Sequence, residues 1–148
     1  MEDVDHYCNE NYDNVSEGAS CWYVPEVTKD VGAKFFRNIK ERNSTYNRHK
    51  MALKAEIPAP SLGTKFSMTV SIPLMKIEIY GYLTEHVYVD FEDVTIYNDD
   101  RKVEIIEDIA NVFNIDFDDV DDHPGNWGVN NTGELVFIDF DDVSFEKL

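Results

Sequence analysis

The spacing of apolar residues changes along the chain, and this change restricts the fold more than any other sequence feature. β-branched and aromatic residues dominate six segments, as is typical of strands. These segments are Val15 to Tyr23, Val31 to Phe36, Lys65 to Leu74, Lys76 to Val89, Trp127 to Asn130 and Leu135 to Phe140. Two other stretches, Asn38 to Ala55 and Arg101 to Phe113, have the residue pattern of helices. The order strands, helix, strands, helix, hairpin predicts an α+β fold.

Residues that favour turns set the expected boundaries of these elements. The polar stretch Pro25 to Asp30 predicts the turn of the first hairpin, and Asn131 to Gly133 predicts the turn of the last. Pro73 and Gly81 are expected to break the two middle strands. Since no linker-like segment divides the chain, we expect one domain over residues 15–148, preceded by a flexible arm over residues 1–14.

Composition limits the class of protein and of partner. The chain has 148 residues, 43% of them hydrophobic, which is enough for one domain with a real core. Its net charge of −17 argues against direct binding of nucleic acid and favours a basic partner protein. Residues 1–74 carry ten acidic and nine basic side chains, whereas residues 75–148 carry twenty and four. No apolar run approaches the roughly 18 residues of a spanning helix, and no signal-peptide pattern is seen, so we expect a cytoplasmic protein without membrane contact.

Three oxygen-bearing side chains lie around the last predicted hairpin. Asp121 and Asn126 are five positions apart in the loop before it, and Asp139 follows its second strand. A loop and a strand end can bring such side chains to one point. Carboxylate and amide oxygens are ligands that Mg²⁺ accepts, and Mg²⁺ keeps further positions for water and phosphate. The pattern therefore predicts a magnesium site near the C-terminal end.

The same residues resemble motifs of the protein-kinase-like superfamily. Asp121 and Asn126 match the D-x-x-x-x-N spacing of the catalytic loop, and Asp139-Phe140 after the strand LVFI matches the start of DFG. Upstream, Gly18 and Ser20 lie where the glycine-rich loop is expected, and VGAKFF places Lys34 at the position of the conserved strand lysine. Within the superfamily, the D-x-H-x-G-N loop and the V-S-F ending are most similar to the compact early protein kinases of short-tailed coliphages.

This resemblance implies a small kinase-like fold and a function. The fold would have a β-rich N-lobe over about residues 15–90 and a truncated C-lobe over about 91–148, ending just after the DFG-like segment. Gly18, Ser20 and Lys34 would bind ATP, Asn126 and Asp139 would hold Mg²⁺, and Asp121 would be catalytic. The protein would then be a Ser/Thr protein kinase-like phosphotransferase of phage origin that acts on host proteins in the host cytoplasm.

Several departures from the family pattern keep a second interpretation open. The glycine-rich loop has one glycine, the third DFG position is Asp141, and neither Glu41 nor Glu56 is well placed as the helix partner of Lys34. The sequence is therefore also compatible with a catalytically inactive kinase-like protein, or with an acidic protein that imitates DNA and inhibits a basic host or defence protein. The short C-lobe further suggests a possible homodimer.

Overall fold

The structure combines an antiparallel sheet with two helices and a short C-terminal hairpin. The computed structural model describes residues 16–17, 21–36, 38–88, 99–141 and 145. Its strands are β1 (Ser16–Glu17), β2 (Cys21–Thr28), β3 (Val31–Phe36), β4 (Leu62–Ile72), β5 (Met75–Glu85), β6 (Trp127–Val129) and β7 (Leu135–Phe137). Its helices are α1 (Ile39–Lys54) and α2 (Asp99–Phe113), and 3₁₀ turns cover Phe117–Asp119 and Pro124–Asn126. The predicted α+β class is confirmed, whereas the predicted arm over residues 1–14 lies outside the described residues.

The larger sheet has five strands in the order β1-β2-β3-β5-β4, and every pair is antiparallel. Strands β3 and β5 are adjacent although α1 and β4 lie between them in sequence. Their register places Lys34 directly opposite Tyr82 and Phe35 opposite Gly81. Because side chains alternate between faces along a strand, Lys34 and Tyr82 share the face that α1 covers, which we call the inner face. Phe35 lies on the other, outer face.

Helix α1 begins and ends at residues suited to those positions. The Asn38 side chain accepts a hydrogen bond from the Glu41 backbone N–H at 2.8 Å, which caps the first turn. After Ala55 the chain takes a positive φ of 63° at Glu56, which ends the helix. The guanidinium of the buried Arg42 donates to the carbonyl oxygens of Phe66 and Gly81 at 2.8 and 3.0 Å. These bonds fix α1 against β4 and β5.

A second core lies where the C-terminal elements pack against the end of α1. The apolar face of α2, including Ile105 and Ile109, packs there with aromatic side chains from β6, β7 and the segment after β7. Ala52 and Ile57, from the end of α1 and the residues after it, belong to the same core, and the Phe137 N–H donates to Pro58 O at 2.9 Å. The C-terminal segment is therefore held against α1. Neither described helix has the length and apolar character needed to cross a membrane.

The first predicted turn is shorter than expected, and the predicted break at Gly81 was wrong. The first hairpin turns at Lys29 and Asp30, and Pro25 lies inside β2, where the register shifts between Val24 and Thr28 and tolerates a residue that has no N–H. Gly81 continues β5 instead of ending it. A Cβ at Gly81 would lie 2.4 Å from Lys34 O and 2.5 Å from the Phe66 ring, so glycine allows close contact here.

Candidate functional site

A chain of three hydrogen bonds connects three of the residues predicted to form the site, Lys34, Asn126 and Asp121, through Ile138. The Lys34 ammonium donates to Ile138 O at 2.8 Å, and so lies beside the residue that precedes Asp139. The Ile138 N–H donates to Asn126 O at 2.9 Å. The Asn126 side-chain amide donates to Asp121 O at 2.7 Å. Residues from β3, the loop before β6 and the segment after β7 are thus joined at one place.

The loop that carries Asp121 and Asn126 is shaped by local contacts. His123 Nδ1 accepts from the Gly125 N–H at 3.0 Å and starts the 3₁₀ turn that ends at Asn126. The Trp127 indole N–H donates to Asp122 O at 3.1 Å. Asn126 is only 2% exposed, whereas Asp121 is partly exposed. The loop therefore buries Asn126 and leaves Asp121 partly exposed.

Asp139 and Asp141 form a close acidic pair. The Asp141 N–H donates to Asp139 Oδ1 at 3.2 Å, and Asp141 is buried. Burial and the charge of Asp141 raise the pKa of Asp139 to about 6, and the positive charge of Lys34 only partly offsets this. Two carboxylates thus lie close together, and both raise the pKa of Lys34.

Lys34 keeps its charge although it is surrounded by protein. Burial by itself would lower the pKa of Lys34, but Tyr82, Cys21 and the two aspartates raise it above its usual value. Burial also raises the pKa of Tyr82 to about 12 and that of Cys21 to about 11, so both are neutral at physiological pH. At physiological pH the charges that stabilise the ammonium form are therefore the carboxylates of Asp139 and Asp141, while its hydrogen-bond acceptor is Ile138 O.

The side of the site formed by α1 and β5 is polar but sparsely hydrogen-bonded. Tyr82 Oη, Thr45 Oγ1 and His49 Nδ1 are buried and have no hydrogen-bond partner within the described part of the chain. His49 stacks on Phe140 with ring centroids 5.0 Å apart, which links α1 to the Asp139 segment. The hydrogen bond of Lys34 goes to Ile138 O and not to Glu41, the helix acid considered as its partner.

The donor set is chemically suited to Mg²⁺ but is small. Asn126 and Asp139 offer amide and carboxylate oxygens, which Mg²⁺ prefers. Among the described residues, no group of three or more His, Cys, Asp or Glu side chains could hold a metal by itself. The residues therefore fit an ion that takes its remaining ligands from water and phosphate, and do not fit a cage made by the protein alone.

The sequence prediction covered part of this site and missed the rest. Gly18 and Ser20 lie outside the described residues. Tyr82 and His49 were missed, because only the β3–β5 register and the facing side of α1 bring them to Lys34. Asp141 was noted as a departure from DFG, but its burial beside Asp139 required the structure. Comparisons with models of known protein families and with curated proteins gave no match.

Proposed function

We propose that this chain is an ATP-dependent, Mg²⁺-requiring phosphotransferase, a compact Ser/Thr protein kinase-like enzyme. The observation that carries the proposal is the 2.8 Å hydrogen bond from Lys34 to Ile138 O, which joins residues 104 positions apart. Kinases of the family that the sequence resembles need a lysine on the third strand beside the metal-binding aspartate. Here Lys34 lies on the third strand and next to Asp139.

Each residue has a role that follows from its surroundings. Lys34 is held charged and would bind the negatively charged phosphates of ATP. Asn126 and Asp139 would hold Mg²⁺, and the bound ion supplies neutralisation of phosphate charge. Asp121 is partly exposed, so its carboxylate would orient the acceptor hydroxyl and take its proton. Catalysis would thus rest on positioning and charge neutralisation.

The surroundings of Asp121 suggest the class of acceptor. Asp116, Asp118 and Asp122 are exposed near it in sequence, and the chain as a whole carries a net charge of −17. Negative potential attracts a substrate of opposite sign and raises its rate of encounter. We therefore propose that the acceptor is a Ser or Thr in a basic host protein.

Calorimetric titration of Mg·ATP tests the proposal directly. Wild type should bind in a Mg²⁺-dependent way, and Asp139→Ala should abolish binding. Asp118→Ala is the matched control, because it removes the same charge from an exposed position. Asp121→Ala should still bind Mg·ATP but should lose transfer of labelled phosphate to a basic Ser-containing peptide. Equal nucleotide binding by Asp139→Ala and Asp118→Ala would contradict the proposal.

The acidic pair at the site favours one alternative function. Asp141 raises the pKa of Asp139, so its charge opposes binding of a phosphate anion that lacks a counter-ion. A catalytically inactive, acidic protein that binds and inhibits a basic protein would tolerate this. The double variant Asp121→Ala/Asp139→Ala separates the two functions, since an inhibitor acting through surface charge should keep its partner.

A further inference from the structure

The outer face of the five-stranded sheet contains an apolar groove that no described helix covers. It encloses about 560 Å³ and its lining includes Phe35, Phe66 and Leu83. Helix α1 packs on the inner face, as shown by the ring contacts of Tyr46 and His49 with Tyr82. A volume of this size is within the range of natural ligand-binding pockets.

Two apolar side chains in the groove remain open to water. Val27 is 52% exposed and Met68 is 44% exposed, and both line the cavity. Below them, Trp22 and Phe35 stack with ring centroids 5.8 Å apart and form part of a buried cluster. The base of the groove is thus formed by packed aromatic rings, and its edge includes Met68, whose flexible side chain can adjust to a partner. A concave surface with a mostly apolar lining is typical of a binding site.

The charge on this face indicates the chemistry of the partner. Among the described residues, Glu26 is the only charged one that lines the groove. Lys34, Lys65 and Lys76 alternate to the inner face, and the ammonium of Lys65 lies 5.0 Å from the Tyr46 ring centroid on α1. A second copy of the chain is a poor occupant, because each copy has a net charge of −17 and the two would repel.

We propose that this outer groove is the docking site for a positively charged amphipathic segment of a partner protein. Apolar side chains of the segment fill the space over Phe35 and between Val27 and Met68. A Lys or Arg of the segment pairs with Glu26. Docking here is separate from the Lys34 site, which lies on the opposite face of the sheet, and it does not depend on nucleotide binding.

A pair of synthetic peptides separates groove binding from general attraction to an acidic protein. The first is a fluorescent amphipathic peptide of leucine and lysine, and the second has every leucine replaced by serine at the same charge. Replacing Val27 and Met68 with Asn should lower the affinity for the leucine peptide about tenfold, because the apolar contacts with the peptide are lost. Met51 and Val103 are matched controls, because each is 43% exposed elsewhere on the surface, and changing both to Asn should leave affinity within about twofold.

NMR spectroscopy locates the bound peptide without replacing any residue of the buried core. In protein labelled at the methionine methyl groups, the Met68 signal should move on titration and the Met51 signal should stay in place, with Met68→Leu and Met51→Leu giving the assignments. Glu26→Gln should weaken binding, and Asp139→Ala should not change it. Equal affinity for the serine peptide, or an unmoved Met68 signal at saturation, would overturn the proposal. A Met68 signal that moves with protein concentration alone would assign the groove to a second copy and would also overturn it.

Discussion

The buried imidazole of His49 should make the stability of this protein sensitive to mild acid. His49 is fully buried, and its Nε2–H donates to Pro60 O at 2.6 Å. Burial and the nearby charge of Lys34 lower its pKa to about 3, and the bond to Pro60 opposes this only in part. Protonation in the fold would place a second positive charge beside Lys34 in a region with little water. The folded state therefore keeps His49 neutral.

The size of the effect follows from linkage. In the unfolded chain a histidine titrates near pH 6.5, so between about pH 6.5 and 3 the unfolded state binds more protons than the folded state. The free energy of unfolding therefore falls as the pH drops below about 6.5. Between about pH 7.5 and 5, His49 alone should lower the free energy of unfolding by about 2 kcal/mol. That is a large share of the roughly 5–15 kcal/mol typical of a folded domain.

Urea unfolding at about pH 7.5 and 5 measures the fall in the free energy of unfolding, and comparison with His49→Gln isolates the part that is due to His49. The glutamine amide can still donate to Pro60 O but does not titrate, so its unfolding free energy should fall by about 2 kcal/mol less than that of wild type. His123→Gln is the matched control, because His123 is exposed. Loss of the bond from the Gly125 N–H should lower its stability at both pH values, but the difference between the two pH values should be that of wild type. If wild type and His49→Gln lose equal stability on acidification, His49 is not held neutral and the reasoning is refuted.

Three further substitutions test the packing and the electrostatics of the site. Gly81→Ala should lower the free energy of unfolding by about 2–3 kcal/mol in urea titration, because its Cβ would lie 2.4 Å from Lys34 O. Asp139→Asn should stabilise the protein by up to about 3 kcal/mol at pH 7.5 and should not stabilise it at pH 4. The pKa of Asp139 is raised to about 6 in the fold, so ionisation of this carboxylate lowers the free energy of unfolding as the pH rises through that range. Asn126→Ala should cost about 1–3 kcal/mol in thermal or urea unfolding, since the buried amide that binds Asp121 O is lost; an unchanged stability would mean that this amide does not hold the loop.

Local sequence patterns predicted the elements of the fold better than their interruptions. Helix α1 starts after Asn38 and ends before Ala55, close to the predicted limits, because capping and helix-ending signals are short-range. Pro25 was predicted to begin the first turn and Gly81 to break a strand, as such residues usually do. In the sheet, a register shift accommodates Pro25 and close packing requires Gly81. Both depend on strand pairing, which the sequence alone does not specify.

At the site, too, arrangements of residues close in sequence were predicted better than contacts between distant residues. The spacing of Asp121 and Asn126 predicted a loop, and the structure joins the two by a hydrogen bond within that loop. A common site for Lys34 and Asp139 was implied only by the resemblance to kinases, and the structure places Lys34 beside Ile138, 104 residues away in sequence. Tyr82 and His49 had no sequence signal, because each reaches Lys34 through a tertiary contact.

The charges around Lys34 differ from those of a simple ion pair. A structural ion pair would match one ammonium with one carboxylate, whereas Lys34 faces both Asp139 and Asp141. The second carboxylate makes ionisation of Asp139 unfavourable, as its raised pKa shows. The neighbouring His49 is held neutral and so supplies no compensating positive charge. The ionised Asp139 carboxylate therefore costs the folded chain stability at neutral pH, which is why Asp139→Asn is expected to stabilise it.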